Sequence, residues 1–530
     1  MYNKRKLLQK NLYYIMSITP EKPSALPEIN KRSLLFFTIG VSILTLLIIL
    51  VVAFHAISFG ASSVWVWDYQ PLTVPSRILF GLIPLAAILA LIFGPGRVLL
   101  QSEAPTRKQE CGALAALWLA VFVSANAIVL MHTSGWAYPA TLVVNPAANS
   151  YFSTALEHPD LDALLHDYSN KMSSFISHAQ TQSAGPVIFS GLAARLAKAS
   201  PATPFIADTL FALSPGLNPD DVAQFCKRWD PNISVDDVRA ALCVGLLMIA
   251  IGGLAVIPLY LLGKWLSSPA AGFFAALSFL LLPAFALFSV SVDQMYPLVT
   301  AVGLCGVWRG MRSMESKSSW AFLWLGLTGI WLGIGLFFNM GLIVAIALCG
   351  LFGLFMGYTL RCSIQQMLPG AILFLCGALL IPLLLYIIFR YNIWAVFLAS
   401  NHLRNSLYYD SRSYSASLWN NLLDFFLFCG LPVVLLWIWH IRQIAGKNYC
   451  TVAMAFLAAL FITLFLVDIT GRVRGETARM WMFLTPSILA GAGVMLANVW
   501  RKSRAIAIWL LGLQLAQLVV FQYFIRVWGY

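Results

Sequence analysis

The chain has 530 residues, 60% hydrophobic and 10% charged, with a mean hydropathy of +0.80 and a formal net charge of +13. Soluble domains carry about 25% charged residues, so composition excludes a soluble enzyme and points to an all-α polytopic membrane protein. The basic excess is spread over short loops, as the positive-inside rule requires, and calls for no nucleic-acid partner.

Residues 1–34 form a basic tail with Lys4, Arg5, Lys6, Lys10, Lys22, Lys31 and Arg32. It is too long for the charged region of a signal peptide, no small-residue cleavage site follows, and it is expected in the cytoplasm. A helix needs about 20 apolar residues to cross a bilayer, and about thirteen segments qualify. Two of them, 35–57 and 78–95, occupy the region 35–110 ahead of the main module. A third, 111–131, leads to the one long polar stretch, 132–237, expected on the outer side. Inside that stretch, residues 183–198 place Val187, Ile188, Leu192 and Leu196 at helical spacing, which predicts an amphipathic helix in the membrane interface. Nine further spans are expected at 238–263, 270–290, 296–309, 320–338, 341–360, 368–389, 418–439, 451–467 and 480–500. A last span, 506–524, lies within the terminal region 501–530. Lys264, Arg312, Lys317, Arg361, Arg442 and Arg501 mark the turns assigned inside. The nine cysteines include no CxxC pair and read as small apolar fillers.

Two short loops, 390–417 and 468–479, fall on the outer side yet hold Arg390, Arg404, Arg412, Arg472, Arg474 and Arg479. Topology disfavours arginine there. An anionic partner explains it, since the planar guanidinium fork suits phosphate; lipid headgroups or pairing with Asp410, Asp468 and Glu476 are the plainer explanation. The first loop also carries His402 and Tyr414 among other aromatics, a mix that suits a phosphate and a sugar ring or, alternatively, an interfacial belt. Glu476 and Arg479 are spaced to pair on one helix face.

The long segment supplies acids. Glu157, Asp160 and Asp162 lie close to His158, His166 and His178, and activating a hydroxyl needs a carboxylate or an imidazole in reach. Solvated surface acids are the competing reading. His158, Asp162 and His166 would share a face on one continuous helix, which leaves room for a divalent cation; no other cofactor is indicated. Asp293, beside the outer end of a span, and Asp424, within one, need a cavity or a buried partner.

Four strings recur in order. They are Asn149-Ser150-Tyr151-Phe152 leading to His178 and Gly185-Pro186-Val187; Pro258, Tyr260 and Gly263 followed by Leu282-Pro283-Ala284 and Asp293; Ser411-Arg412-Ser413-Tyr414 with Asn421 and Asp424; and Arg474-Gly475-Glu476-Thr477-Ala478-Arg479. With the span–long loop–spans layout, the module 111–500 resembles the GT-C superfamily of membrane glycosyltransferases, which includes the protein O-mannosyltransferases and aminoarabinose transferases. The resemblance implies a polyprenyl-phosphate sugar as donor and an extracytoplasmic lipid, glycan or protein as acceptor. It implies a catalytic acid among Glu157, Asp160 and Asp162, donor-phosphate contacts from Arg404, Arg412, Arg474 and Arg479, and a substrate cavity with Tyr151, His178, Asp293, His402, Tyr414 and Glu476. The chain departs from that pattern in having no acid between Met131 and Glu157, and Gln182-Ser183-Ala184 where a His-Pro-Pro run is usual.

Three other classes fit parts of the pattern. A polysaccharide polymerase or ligase uses similar donors but carries its large loop late in the chain. A transporter or flippase would show repeats and paired broken spans. A non-catalytic scaffold would explain the missing early acid. The short basic loops suit a bacterial inner membrane.

Overall fold

The computed structural model describes residues 29–214, 217–445 and 451–527. The basic tail up to residue 28 and the last three residues therefore lie outside the described residues. The protein is an all-α polytopic membrane protein. Among the described residues, strands are confined to two short antiparallel pairs. Among the described residues, eleven helical segments are long and apolar enough to cross a bilayer. A bent pair, Tyr414–Cys429 and Leu431–Ala445, adds a twelfth crossing. Tyr296–Glu315, a helix whose C-terminal half carries Arg309, Arg312 and Glu315, occupies the remaining predicted segment and is not among these crossings.

Burial sorts these helices into a centre and a rim. Met482–Lys502 is 100% buried and Pro269–Leu287 94% over their most apolar stretch, whereas Ile364–Phe389 is 17% and Lys31–Ala53 22%. The central helices are rich in Gly and Ala, which lets backbones approach closely. The rim helices show Leu, Ile and Phe outward, as lipid-facing surfaces do.

The span expected at 418–439 is not straight. It breaks at Gly430 with a bend of 105°. Gly430 has φ +90°, and a Cβ there would meet the Gln514 amide at 1.8 Å, so only glycine fits. A break inside a membrane frees backbone groups that must find partners. Two buried glutamines of the last helix supply them. Gln514 Nε2 donates to Cys429 O at 3.0 Å, Gln517 Nε2 donates to Leu427 O at 2.9 Å, and Gln517 Oε1 accepts from Leu431 N at 2.8 Å.

The long segment folds into short helices seated on one end of the bundle. Helix Gly185–Ala199 matches the amphipathic stretch, but its apolar residues divide. Val187 is buried with Gly185, Gly191 and Ala194, while Leu192 and Leu196 stay exposed. That surface suits the interfacial placement expected for it. Ser183 Oγ donates to Phe337 O at 2.7 Å and Ala184 N donates to the Tyr391 hydroxyl at 3.2 Å. These bonds seat the segment on the ends of Trp320–Phe338 and Ile364–Phe389. The chain end returns to the same face, where Ile525–Arg526 pairs with Asp68–Tyr69.

Candidate functional site: an arginine-lined cavity

Where the segments meet, a cavity of ≈ 270 Å³ opens. Its walls include Trp65, His178, Thr181, Arg404, Arg412, Glu476 and Arg479, with Val527 from the chain end. His178, Thr181, Arg404, Arg412, Glu476 and Arg479 come from the three segments, 132–237, 390–417 and 468–479, expected on a single side of the bilayer.

The loop carrying Glu476 and Arg479 is built from below. Asn421 and Asp424 project from the upper half of the bent pair. Asn421 Oδ1 accepts from Gly475 N at 3.1 Å, and its Nδ2 donates to Val473 O at 2.9 Å. Asp424 accepts from Ala478 N at 2.9 Å, from Thr477 Oγ1 at 3.0 Å and from Trp67 Nε1 at 2.6 Å. Gly475 and Glu476 are consecutive left-handed residues, at φ +91° and +53°. A Cβ on Gly475 would press on Trp65 at 2.6 Å, so glycine is required by both conformation and space.

Arg479 is the centre of the charged array. Its Nη2 meets Glu476 Oε2 at 2.7 Å, and its Nη1 lies 3.7 Å from Asp293 Oδ2 and 3.1 Å from His178 Nε2. Its side chain is only 8% exposed. Burial alone would push the guanidinium down, but Glu476 and Asp293 outweigh it and hold it charged. Burial raises the Asp293 carboxyl, with Arg479 opposing and Glu476 reinforcing. Burial and then Arg479 hold His178 well below the usual histidine range. A guanidinium has no acceptor, so His178 Nε2 receives the bond and the ring proton sits on Nδ1. Tyr151 is buried behind His178, ring centroids 6.5 Å apart.

The other arginines divide into two roles. Arg404 Nη2 donates to Thr181 O at 3.1 Å and reaches Ser400 Oγ at 3.5 Å. Arg412 lies over the Trp65 ring at 5.2 Å and donates to Arg474 O. Both line the cavity. Arg474 does not, because it spends its donors on Tyr409 O at 2.9 Å, Arg412 O at 2.8 Å and Gly471 O at 3.3 Å. It braces one loop against the other.

Neither a family model nor a curated protein matches this chain.

The remaining expected residues lie elsewhere. Tyr414 donates its hydroxyl to Ile469 O at 2.6 Å and packs on Gly471. His402, Arg390 and Arg472 are exposed. Glu157, Asp160 and Asp162 are also exposed and line no wall of the cavity. Asp160 instead caps helix Leu161–His166 by accepting from Ala163 N at 3.0 Å. Burial, then Asp230, raises the Glu157 carboxyl. The continuous helix needed to align His158, Asp162 and His166 does not form. One helix ends at Glu157 and the next starts at Leu161, with Pro159 between them. Among the described residues no group of three or more His, Cys, Asp or Glu is arranged to hold a metal ion.

Trp65, Thr181, Tyr409 and Val527 also line the cavity, and sequence reasoning did not single them out. Trp65 had a signal, since it lies close to Trp67 and Tyr69 between the first two spans, but such an aromatic cluster reads equally well as an interfacial belt.

Proposed function

We propose that this chain is an integral membrane glycosyltransferase that moves a sugar from a polyprenyl-phosphate donor to an acceptor hydroxyl on the extracytoplasmic side. The observation that carries the reading is the composition of the cavity wall, where three arginines face one carboxylate, Glu476. Arg404 in particular is held by a carbonyl and a hydroxyl, which orient it without neutralising it. A polyprenyl phosphate brings the missing negative charge at the depth where the arginines sit, and its chain has lipid to run into. Trp65 and Tyr409 add aromatic surface to the same wall. The outward orientation rests on the basic turns at the other end of the bundle, Lys264, Lys317, Arg361 and Arg501. On this reading the N-terminus lies in the cytoplasm and the membrane is one such as the bacterial inner membrane.

In this mechanism Arg404 and Arg412 bind the donor phosphate and stabilise the charge that grows as it departs. A polymerase or ligase would share this donor chemistry and differ in the acceptor. A transporter would use the broken helix at Gly430 as its binding site, but Gln514 and Gln517 already occupy the freed backbone groups.

Donor binding tests the reading. Purified protein in nanodiscs is expected to bind a polyprenyl-phosphate hexose saturably and to release free polyprenyl phosphate. Arg404→Ala removes a charge-assisted contact of about 1.5–3 kcal/mol, so affinity should fall about 10- to 100-fold. Arg404→Lys should recover only part of it, since a point charge lacks the fork. Equal affinity in wild type and Arg404→Ala would refute the phosphate role.

A further inference from the structure

The cavity raises a question about the proton. A sugar-acceptor hydroxyl must lose one, and the acids expected to take it lie outside. Two side chains on the wall could act as bases, Glu476 and His178. His178 Nε2 already receives a hydrogen bond from Arg479, and its other ring nitrogen carries the proton. Asp293 lies behind Arg479 and lines no wall. Glu476 is placed differently. Arg479 binds Oε2, while Oε1 makes no hydrogen bond among the described residues.

Its backbone is also unusual. A non-glycine residue in the left-handed region costs about 1–2 kcal/mol. Glu476 is held there at φ +53° by anchors on both sides, Asn421 on Gly475 and Asp424 on Ala478. Strain of this kind persists only where the surroundings over-determine it, and it concentrates at functional sites. Here it sets a carboxylate into an otherwise cationic wall.

We propose that Glu476 is the general base of the transfer, a role that rests on the polyprenyl-phosphate reading above. The acceptor oxygen attacks the anomeric carbon and gives its proton to Glu476 Oε1. The bond from the anomeric carbon to the phosphate oxygen breaks, and the phosphate leaves with the electron pair beside Arg404 and Arg412. Arg479 is a positioning residue: it fixes the carboxylate through Oε2 and keeps His178 a neutral neighbour.

The experiment compares wild type, Glu476→Gln and Glu476→Asp in nanodiscs, with a polyprenyl-phosphate hexose as donor. Donor affinity, turnover with water and glycerol as hydroxyl acceptors, and turnover with azide are measured separately. Azide attacks without losing a proton, so it needs no base. Glu476→Gln should keep wild-type donor affinity and lose about 10²–10⁴-fold in turnover with hydroxyl acceptors. Azide should restore release of polyprenyl phosphate in that variant, and Glu476→Asp should fall between. Wild-type turnover with hydroxyl acceptors in Glu476→Gln would overturn the assignment. So would loss of donor binding in both variants without azide rescue, which marks a purely structural pair with Arg479. If wild type itself neither binds nor cleaves the donor, the donor reading fails first and the base assignment falls with it.

Discussion

Arg479→Ala is expected to destabilise the protein by about 3–5 kcal/mol, the usual consequence of removing one partner from a buried ion pair. The reason is local. One guanidinium serves two carboxylates, Glu476 at 2.7 Å and Asp293 at 3.7 Å, and the Asp293 side chain is 11% exposed. Without Arg479 both acids stay in the site with no cation between them. Thermal unfolding of the purified protein reads the loss. The double variant Arg479→Met with Asp293→Asn should unfold closer to wild type than Arg479→Ala, because it removes the stranded charge as well. Arg479→Lys should not substitute, since an ammonium cannot hold Glu476, Asp293 and His178 in one planar arrangement.

The pH dependence follows from the same geometry. The Asp293 carboxyl is already raised by burial, and Arg479 is what opposes the rise. A carboxyl raised on folding penalises the folded state while it is ionised, and the penalty fades as pH falls through the folded value. Removing Arg479 raises Asp293 further. The Arg479→Ala deficit should therefore shrink as pH is lowered below neutral, and Asp293→Asn should remove the part of that pH dependence that Asp293 contributes. A variant that melts at the wild-type temperature at every pH would remove Arg479 from the centre of the site.

The spans were legible because a bilayer imposes a length and an apolarity that no other environment demands. All thirteen expected segments are helical, with ends shifted by a few residues. The bend at Gly430 was written in the sequence as Gly430-Leu431-Pro432. What hid it is that hydropathy averages over a break, and that Gln514 and Gln517, which make the break tolerable, lie in another helix. The arginines show a deeper limit. Arg404, Arg412 and Arg474 all sit in short loops of similar composition, and nothing local separates them. Only the tertiary fold gives Arg474 three carbonyls and leaves Arg404 facing the cavity. The acids misled for the opposite reason. Glu157, Asp160 and Asp162 cluster in sequence, but a polar cluster in a long segment is where solvent-facing helix starts and caps collect. The string from Arg474 to Arg479, one of the four that carried the resemblance, forms the left-handed turn that carries Glu476.

Asp424→Ala should be nearly as disruptive as Arg479→Ala, although Asp424 touches no part of the cavity. It joins three elements far apart in sequence: the connection between the first two spans through Trp67, its own helix, and the turn at 477–478. The Thr477 hydroxyl has a second acceptor in Asn421 O at 2.7 Å. The Trp67 and Ala478 N–H groups do not, so the substitution leaves two buried donors unsatisfied, at about 1–3 kcal/mol each. Asp424→Asn rescues little, because one oxygen must serve donors on both sides while its amide faces another N–H. Trp67→Phe provides the decisive comparison. It deletes one of the stranded donors, so the Trp67→Phe/Asp424→Ala double variant should be less destabilised than the sum of the two single variants. Additive losses would mean the two side chains do not share this bond. Coupled losses in melting together with weakened donor binding would place Asp424 as the residue that holds the Glu476–Arg479 loop to the bundle, and would explain an acid buried in a bent, membrane-crossing helix.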